Sequence, residues 1–256
     1  FGEINVLVHD VIPLEFPQFQ REGTVAPFKA KMQRVARHAD RGICNSHDTA
    51  RRCADVMQPW GRVPPMVVAH LGCPVLDADM ADLPSGVAPT TPYFVTVGTI
   101  EPRKNHGFLL DLWDEMGPDA PPLYISGARG WQNADVFARL DQLGPDDRVK
   151  EMGPLSDKAQ AALVAGARAA LFPTHAEGFG LPMVESLTLG TPTLCTELPV
   201  FAEILGKKSV YASLTDRYLW KEAITSWAKS PPDAQEPVEF VAPTWADHFK
   251  IVLRSG

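Results

Sequence analysis

Pro173-Thr174-His175-Ala176-Glu177-Gly178-Phe179-Gly180-Leu181-Pro182-Met183-Val184-Glu185-Ser186 is the stretch on which the reading of this chain turns. The apolar run Ala169-Ala170-Leu171-Phe172 before it reads as a buried strand, and Gly190 after it as a helix stop. Between them a loop carries one carboxylate and two glycines, and Pro182 stands where a first helical turn tolerates its missing N–H. The glycines let backbone approach a ligand closely, and a helix start offers free N–H groups and a positive dipole end to an anion. Glu177 and Glu185 flank that anion site. Beside a phosphate they would repel it, so they are read as acceptors of hydrogen bonds from sugar hydroxyls. The parts describe a pocket for a sugar joined to a diphosphate.

Strands alternate with helices on both sides of this stretch, which implies parallel sheets with right-handed crossovers. Upstream, the expected strands are 4–8, 41–45, 66–69, 93–97, 123–126 and a short or edge strand at 148–151; downstream they are 193–195 and 209–211. Ile4-Asn5-Val6-Leu7-Val8 has the apolar, β-branched character of a strand buried in such a sheet. Helices are expected over 27–39, from the cap Ser46 to Val56, over 105–116, up to Leu143, from the cap Ser156, and over 245–253. Prolines crowd the segment 74–92 among Asp, Ser and Gly, as in a linker. The expected organisation is therefore an N-terminal part at 1–73, a linker at 74–92, a second α/β unit at 93–230, and a tail with a last helix at 231–256. The chain has no initiator Met and opens almost on a strand, so it reads as beginning within a domain.

Composition narrows the class. A net charge of −7 over 256 residues argues against a nucleic-acid partner, which needs clustered Lys and Arg. No apolar run approaches the roughly 20 residues of a membrane span. Cys44, Cys53, Cys73 and Cys195 show no CxxC spacing, so neither zinc nor a disulfide framework is indicated, and a cytoplasmic setting fits. The basic stretch Lys29–Arg37 leaves peripheral contact at the inner face of a membrane open, against the commoner reading of a solvated helix face.

Two further clusters lie at strand ends, where open α/β sheets place their ligands. Arg103 and Lys104 follow the strand 93–97 at an expected helix start; two cations there would neutralise a diphosphate and stabilise it as a leaving group. His9 and Asp10 close the strand 4–8. His70, His175 and Glu203 carry no role that the residues alone decide.

Glu177-Gly178-Phe179-Gly180-Leu181-Pro182, followed by Glu185, resembles the signature of family-four (group 1) retaining glycosyltransferases. Gly98-Thr99-Ile100-Glu101-Pro102-Arg103-Lys104 is similar to the diphosphate-binding loop of that family, with Thr99 where many members have Arg. His9-Asp10-Val11-Ile12-Pro13 resembles the His-Asp-x-x-Pro motif of a subset rich in mannosyltransferases. The resemblance implies a GT-B fold of two Rossmann-like domains, here with an incomplete N-terminal domain on the acceptor side. It also implies roles. His9 would touch the transferred sugar near its reacting carbon, and Glu177 would hold the sugar's hydroxyls. Gly98, Thr99, Arg103 and Lys104 would bind the diphosphate. The backbone of Gly178, Phe179, Gly180 and Leu181 would meet sugar and phosphate, Glu185 the ribose, and Met152, Gly153 and Pro154 the base. Glu203 matches a further acidic position. Neither a metal nor a resident cofactor is implied; the nucleotide diphosphate sugar is a co-substrate, with GDP-mannose as first choice over UDP- or dTDP-sugars. A glycan or lipid-linked saccharide is the expected acceptor. A non-catalytic nucleotide-sugar-binding module and a GT-B epimerase or phosphorylase are the other readings.

Overall fold

The computed structural model describes residues 2–74, 76–87, 91–230 and 238–254. Residues 75 and 88–90 of the expected linker and 231–237, 255 and 256 of the expected tail lie outside the described residues. Among the described residues, nine strands fall into two wholly parallel sheets.

The first sheet has the order β1 (Asn5–Val8), β2 (Arg41–Cys44), β3 (Met66–Val68). Its connections are helices: α1 (Ile12–Glu15) and α2 (Val25–His38) after β1, and α3 (His47–Met57) after β2. Ser46 caps α3, its hydroxyl oxygen accepting the Thr49 N–H at 3.0 Å. β1 departs from its expected burial. It pairs with β2 alone among the described strands, and as an edge it leaves Ile4 51% and Leu7 43% exposed, with only Val8 buried. Lys29, Lys31, Arg34 and Arg37 stand exposed on α2.

The second sheet has six strands: β4 (Phe94–Val97), β5 (Leu123–Ser126), β6 (Val149–Gly153), β7 (Ala169–Phe172), β8 (Thr193–Cys195) and β9 (Val210–Tyr211). The helices between them are α4 (His106–Met116), α5 (Ala134–Leu140), α6 (Asp157–Ala165), α7 (Leu181–Thr188) and α8 (Pro199–Leu205), with α9 (Arg217–Lys229) after β9. Helices α1, α8 and α9 are absent from the sequence expectation.

Strand residues alternate between two cores, because successive side chains point to opposite faces. Phe94, Leu123, Ile125, Leu171 and Leu194 enter one, and Val95, Tyr124, Ala170, Phe172 and Cys195 the other. The sheet is buried on both faces, which is why its strands read as near-continuous apolar runs.

The last helix, α10 (Trp245–Arg254), returns to the first sheet. Pro243 O accepts the Cys73 N–H at 2.9 Å, and Nδ1 of His248 lies 3.1 Å from the carbonyl oxygens of Ala69 and His70. Gly72 permits this contact: a Cβ there would sit 2.2 Å from the Trp245 nitrogen. Among the described residues no helix is long and apolar enough to cross a membrane, and no group of three or more His, Cys, Asp or Glu is arranged to hold a metal ion.

Candidate functional site

The order of the six-stranded sheet is β6-β5-β4-β7-β8-β9. Successive strands run outward in one direction from β4 and in the other from β7. The crossovers therefore diverge between these two neighbours, and a crevice opens at their carboxyl ends. The loops leaving β4 and β7 are the two loops singled out from the sequence.

The β4 loop is shaped by close backbone contact. Gly98 has a φ of 137°, and a Cβ at Gly127 would lie 2.0 Å from the Gly98 carbonyl oxygen. Arg103 and Lys104 close a separate 3-10 turn, Pro102–Lys104, rather than opening α4; Asn105 then takes a left-handed φ of 58° before the helix begins. That break turns both cations toward the β7 loop. The Lys104 side chain lies over Gly98, with Nζ 3.6 Å from where a Cβ would stand.

The two loops are laced together. His175 N–H and the Thr174 hydroxyl donate to Arg103 O at 2.8 and 3.0 Å, and Arg103 Nη1 donates to Ala176 O at 2.7 Å. Arg103 Nη2 reaches Glu101 Oε1 at 2.6 Å. Glu177 Oε1 then receives both cations, Arg103 Nη1 at 2.9 Å and Lys104 Nζ at 2.5 Å. Glu177 is 8% exposed. Burial alone would raise its pKa, but the charges of Lys104 and Arg103 and their hydrogen bonds outweigh burial and hold it below the ordinary value.

Helix α7 starts at Gly180, whose φ of 95° and missing Cβ fit it against Phe201. No side chain caps this N-terminus; Pro182 has no N–H and the Met183 N–H donates to Gly180 O at 3.1 Å, which leaves the Leu181 N–H of the first turn for an anion. Phe179 buries its ring in the core and leaves only backbone to the crevice. Glu185 faces a cavity of about 150 Å³ that Val97, Asp157, Gln160, Val164 and Pro182 also line. Burial, and then the nearby Asp157 carboxylate, raise its pKa. Met152, Gly153 and Pro154 are not among the described residues lining that cavity; the first two end β6, two strands from β4, and Pro154 follows it.

The first sheet brings β1 to this crevice. The His9 side chain is exposed, and its carbonyl oxygen abuts Gly178, where a Cβ would come within 2.3 Å. Asp10 accepts the Ile12 N–H at 3.0 Å. Burial raises its pKa, against the opposing pull of that N–H and of the Arg103 charge.

Sequence reasoning did not find the groups that α3 sends to the β7 loop. Ser46 Oγ and Thr49 Oγ1 donate to Gly178 O at 3.0 and 3.1 Å, and Arg52 Nη1 donates to Glu177 O at 3.0 Å. Ser46 showed only as a helix cap; Thr49 and Arg52 carried no signal. Glu203 accepts the His47 and Asp48 N–H groups at 2.7 and 3.0 Å and lies 2.9 Å from His70 Nε2. Both residues thus have interdomain partners. His175 stacks on Phe19, with centroids 5.0 Å apart.

Residues 82–240 match the family model described as Glycosyl transferases group 1. A serotype-specific mannosyltransferase WbdA of Escherichia coli is 32% identical over 225 residues, covering 81% of this chain and 27% of that protein. The O-antigen chain mannosyltransferase B of Escherichia coli is 33% identical over 128 residues, covering 48% of this chain and 33% of that protein. The first relatives are matched over 27%, 26% and 33% of their length, so the chain spans about a quarter to a third of them. Among solved structures, Anabaena Alr3699/HepE in complex with UDP and glucose superposes with a TM-score of 0.69 at 18% identity, over 97% of this chain and 67% of that one. WaaG, a glycosyltransferase involved in lipopolysaccharide biosynthesis, gives 0.66 at 15% identity, over 98% and 75%. With its sheets, its switch point and its residues 82–240 in agreement, the chain belongs to the group 1 glycosyl transferases and has the GT-B fold.

Proposed function

We propose that this chain carries the donor site, and part of the acceptor side, of a retaining mannosyltransferase that uses GDP-mannose and a saccharide acceptor. The observation that carries the reading is the convergence of Arg103, Lys104 and Glu177 at the switch point of the six-stranded sheet, with His9 and Asp10 set against the same loop. The names of the relatives support mannose; the His9 motif supports GDP.

In this reading the diphosphate takes the two cations and the Leu181 N–H at the start of α7. Glu177, kept ionised by Lys104 and Arg103, accepts hydrogen bonds from the donor sugar, and Glu185 accepts them from the ribose. The bond from the anomeric carbon to the β-phosphate oxygen breaks with charge developing on the diphosphate. The preorganised cations and N–H group stabilise that charge more in the transition state than in the ground state. The acceptor hydroxyl attacks on the face the diphosphate leaves and gives its proton to the departing phosphate oxygen, so configuration is retained. His9 stands near the reacting carbon. This chemistry asks for no general base and no metal from the protein.

Calorimetric titration with GDP, UDP and their mannose and glucose conjugates, without added metal, tests the reading. Binding of GDP and GDP-mannose is expected. Preference for the uridine compounds would replace the donor, and binding of none would remove the site assignment.

A further inference from the structure

We infer that Arg52 is a positioning residue for the β7 loop, acting with Ser46 and Thr49 across the crevice to hold the carbonyls of Glu177 and Gly178. The inference rests on the reading of that loop as the donor site. Residues 173–180 form neither helix nor strand, so their backbone groups must find partners elsewhere. On one side Arg103 takes Ala176 O; on the other the next two carbonyls go to α3, which belongs to the opposite sheet.

Each donor on α3 is fixed before it reaches the loop. Arg52 is 8% exposed, gives Nε to Glu15 Oε2 at 2.7 Å and Nη2 to the same oxygen, and lies 3.5 Å from Asp48 Oδ2. Only a planar guanidinium can meet Glu15, Asp48 and Glu177 O together; a lysine cannot. The Ser46 oxygen accepts the Thr49 N–H at 3.0 Å, which leaves its proton for Gly178 O. Thr49 Oγ1 also lies 3.4 Å from His9 O, so one helix sets the end of β1 and the Gly178 carbonyl relative to each other. Arg103 and Lys104 meet Glu177 from the other side, at its carboxylate. The α3 contacts therefore bear on where the carboxylate points, not on the cations assigned to the diphosphate.

The intact protein would be compared with Arg52→Lys and with Thr49→Val, a near-isosteric change that keeps the fold if loss of the buried ion pairs unsettles the first variant. Amide hydrogen exchange over 176–180, read without any ligand, is expected to speed up about tenfold or more in both, while α7 stays protected. GDP affinity is expected within about twofold of the parent, with kcat for GDP-mannose turnover down about tenfold and donor KM little changed, as misplacement of a reacting group requires. Unchanged exchange at 176–180 in both variants, or GDP affinity falling in step with kcat, would overturn the assignment. Because the exchange reading needs no nucleotide, failure of GDP to bind the parent would count against the proposed donor and leave the exchange result to decide the role of Arg52.

Discussion

Lys104 Nζ lies 2.5 Å from Glu177 Oε1, on the same carboxylate oxygen that Arg103 Nη1 meets at 2.9 Å. A bound diphosphate must compete with this carboxylate for its cations. Glu177→Gln removes the competitor and the sugar's charged acceptor at once. GDP binding is expected to survive or tighten in calorimetry, while turnover of GDP-mannose falls about 10²–10³-fold. Lys104→Met is expected to do the reverse, weakening GDP by about 1.5–3 kcal/mol. Parallel losses of affinity and turnover in both variants would show that the pair is only structural.

Glu203 closes the interface at a second point, where its carboxylate occupies the N-terminus of α3 and touches His70. Glu203→Gln keeps the size and loses the charge facing the helix dipole. Urea unfolding should report a loss of about 1–2 kcal/mol. An unchanged midpoint would mean that the carboxylate adds nothing over an amide there.

His106 offers a pH test. Its ring is buried at the start of α4, both nitrogens lack partners, and burial, with the Lys104 charge, lowers its pKa to about 3. In the unfolded chain the ring titrates near about 6.5. Between these values the unfolded state binds the extra proton. The stability contributed by the neutral ring is thus full above about pH 6.5 and falls by about 1.4 kcal/mol per pH unit below it. His106→Leu removes this slope and two unsatisfied polar atoms. Unfolding free energies at pH 7, 6 and 5 should show a more stable variant with a shallower acid limb; an identical slope would mean the ring charges in the folded state.

Gly178→Ala would place a methyl group 2.3 Å from the His9 carbonyl oxygen and 3.0 Å from the Asp10 Cβ. Backbone must move to admit it, because neither neighbour is a flexible side-chain end. Overpacking of this kind costs about 1–3 kcal/mol. Thermal unfolding should register the loss, and faster proteolysis between residues 74 and 87 should accompany it as the two sheets part. A variant as stable as the parent would mean that the sheets touch less closely here.

Much of this molecule is legible from residue order because a doubly covered parallel sheet demands apolar runs. The strands at 94–97, 123–126 and 169–172 announce themselves that way. So do the caps Ser46 and Ser156 and the glycine-framed loop at 177–180, where local chemistry fixes local shape. Helix α9 was missed although Asp216 caps it and Trp220 and Ile224 give it a buried face, because no Gly or Pro frames its start. The exposure of β1 could not be read, since burial depends on a neighbouring strand and not on the strand's own residues. The same holds for the site. Arg103, Lys104 and Glu177 lie in recognisable loops, but that they share one oxygen depends on the left-handed Asn105. Arg52, Ser46 and Thr49 act on carbonyls more than a hundred positions away, a relation that no spacing encodes.

The chain passes between its two sheets twice, once after β3 and once before α10, and the bond from Cys73 N to Pro243 O puts the two passages side by side. A single thread would let the halves swivel. Two threads bound together resist torsion and leave rocking as the soft motion, like a door on a paired strap. Widening the crevice would then lift His9 away from the 177–178 peptide and return it to the same register on closing. It also follows that a nick in the first passage would sever the first sheet covalently, yet leave α10, carried by the other half, still bonded to it through Cys73, Ala69 and His70.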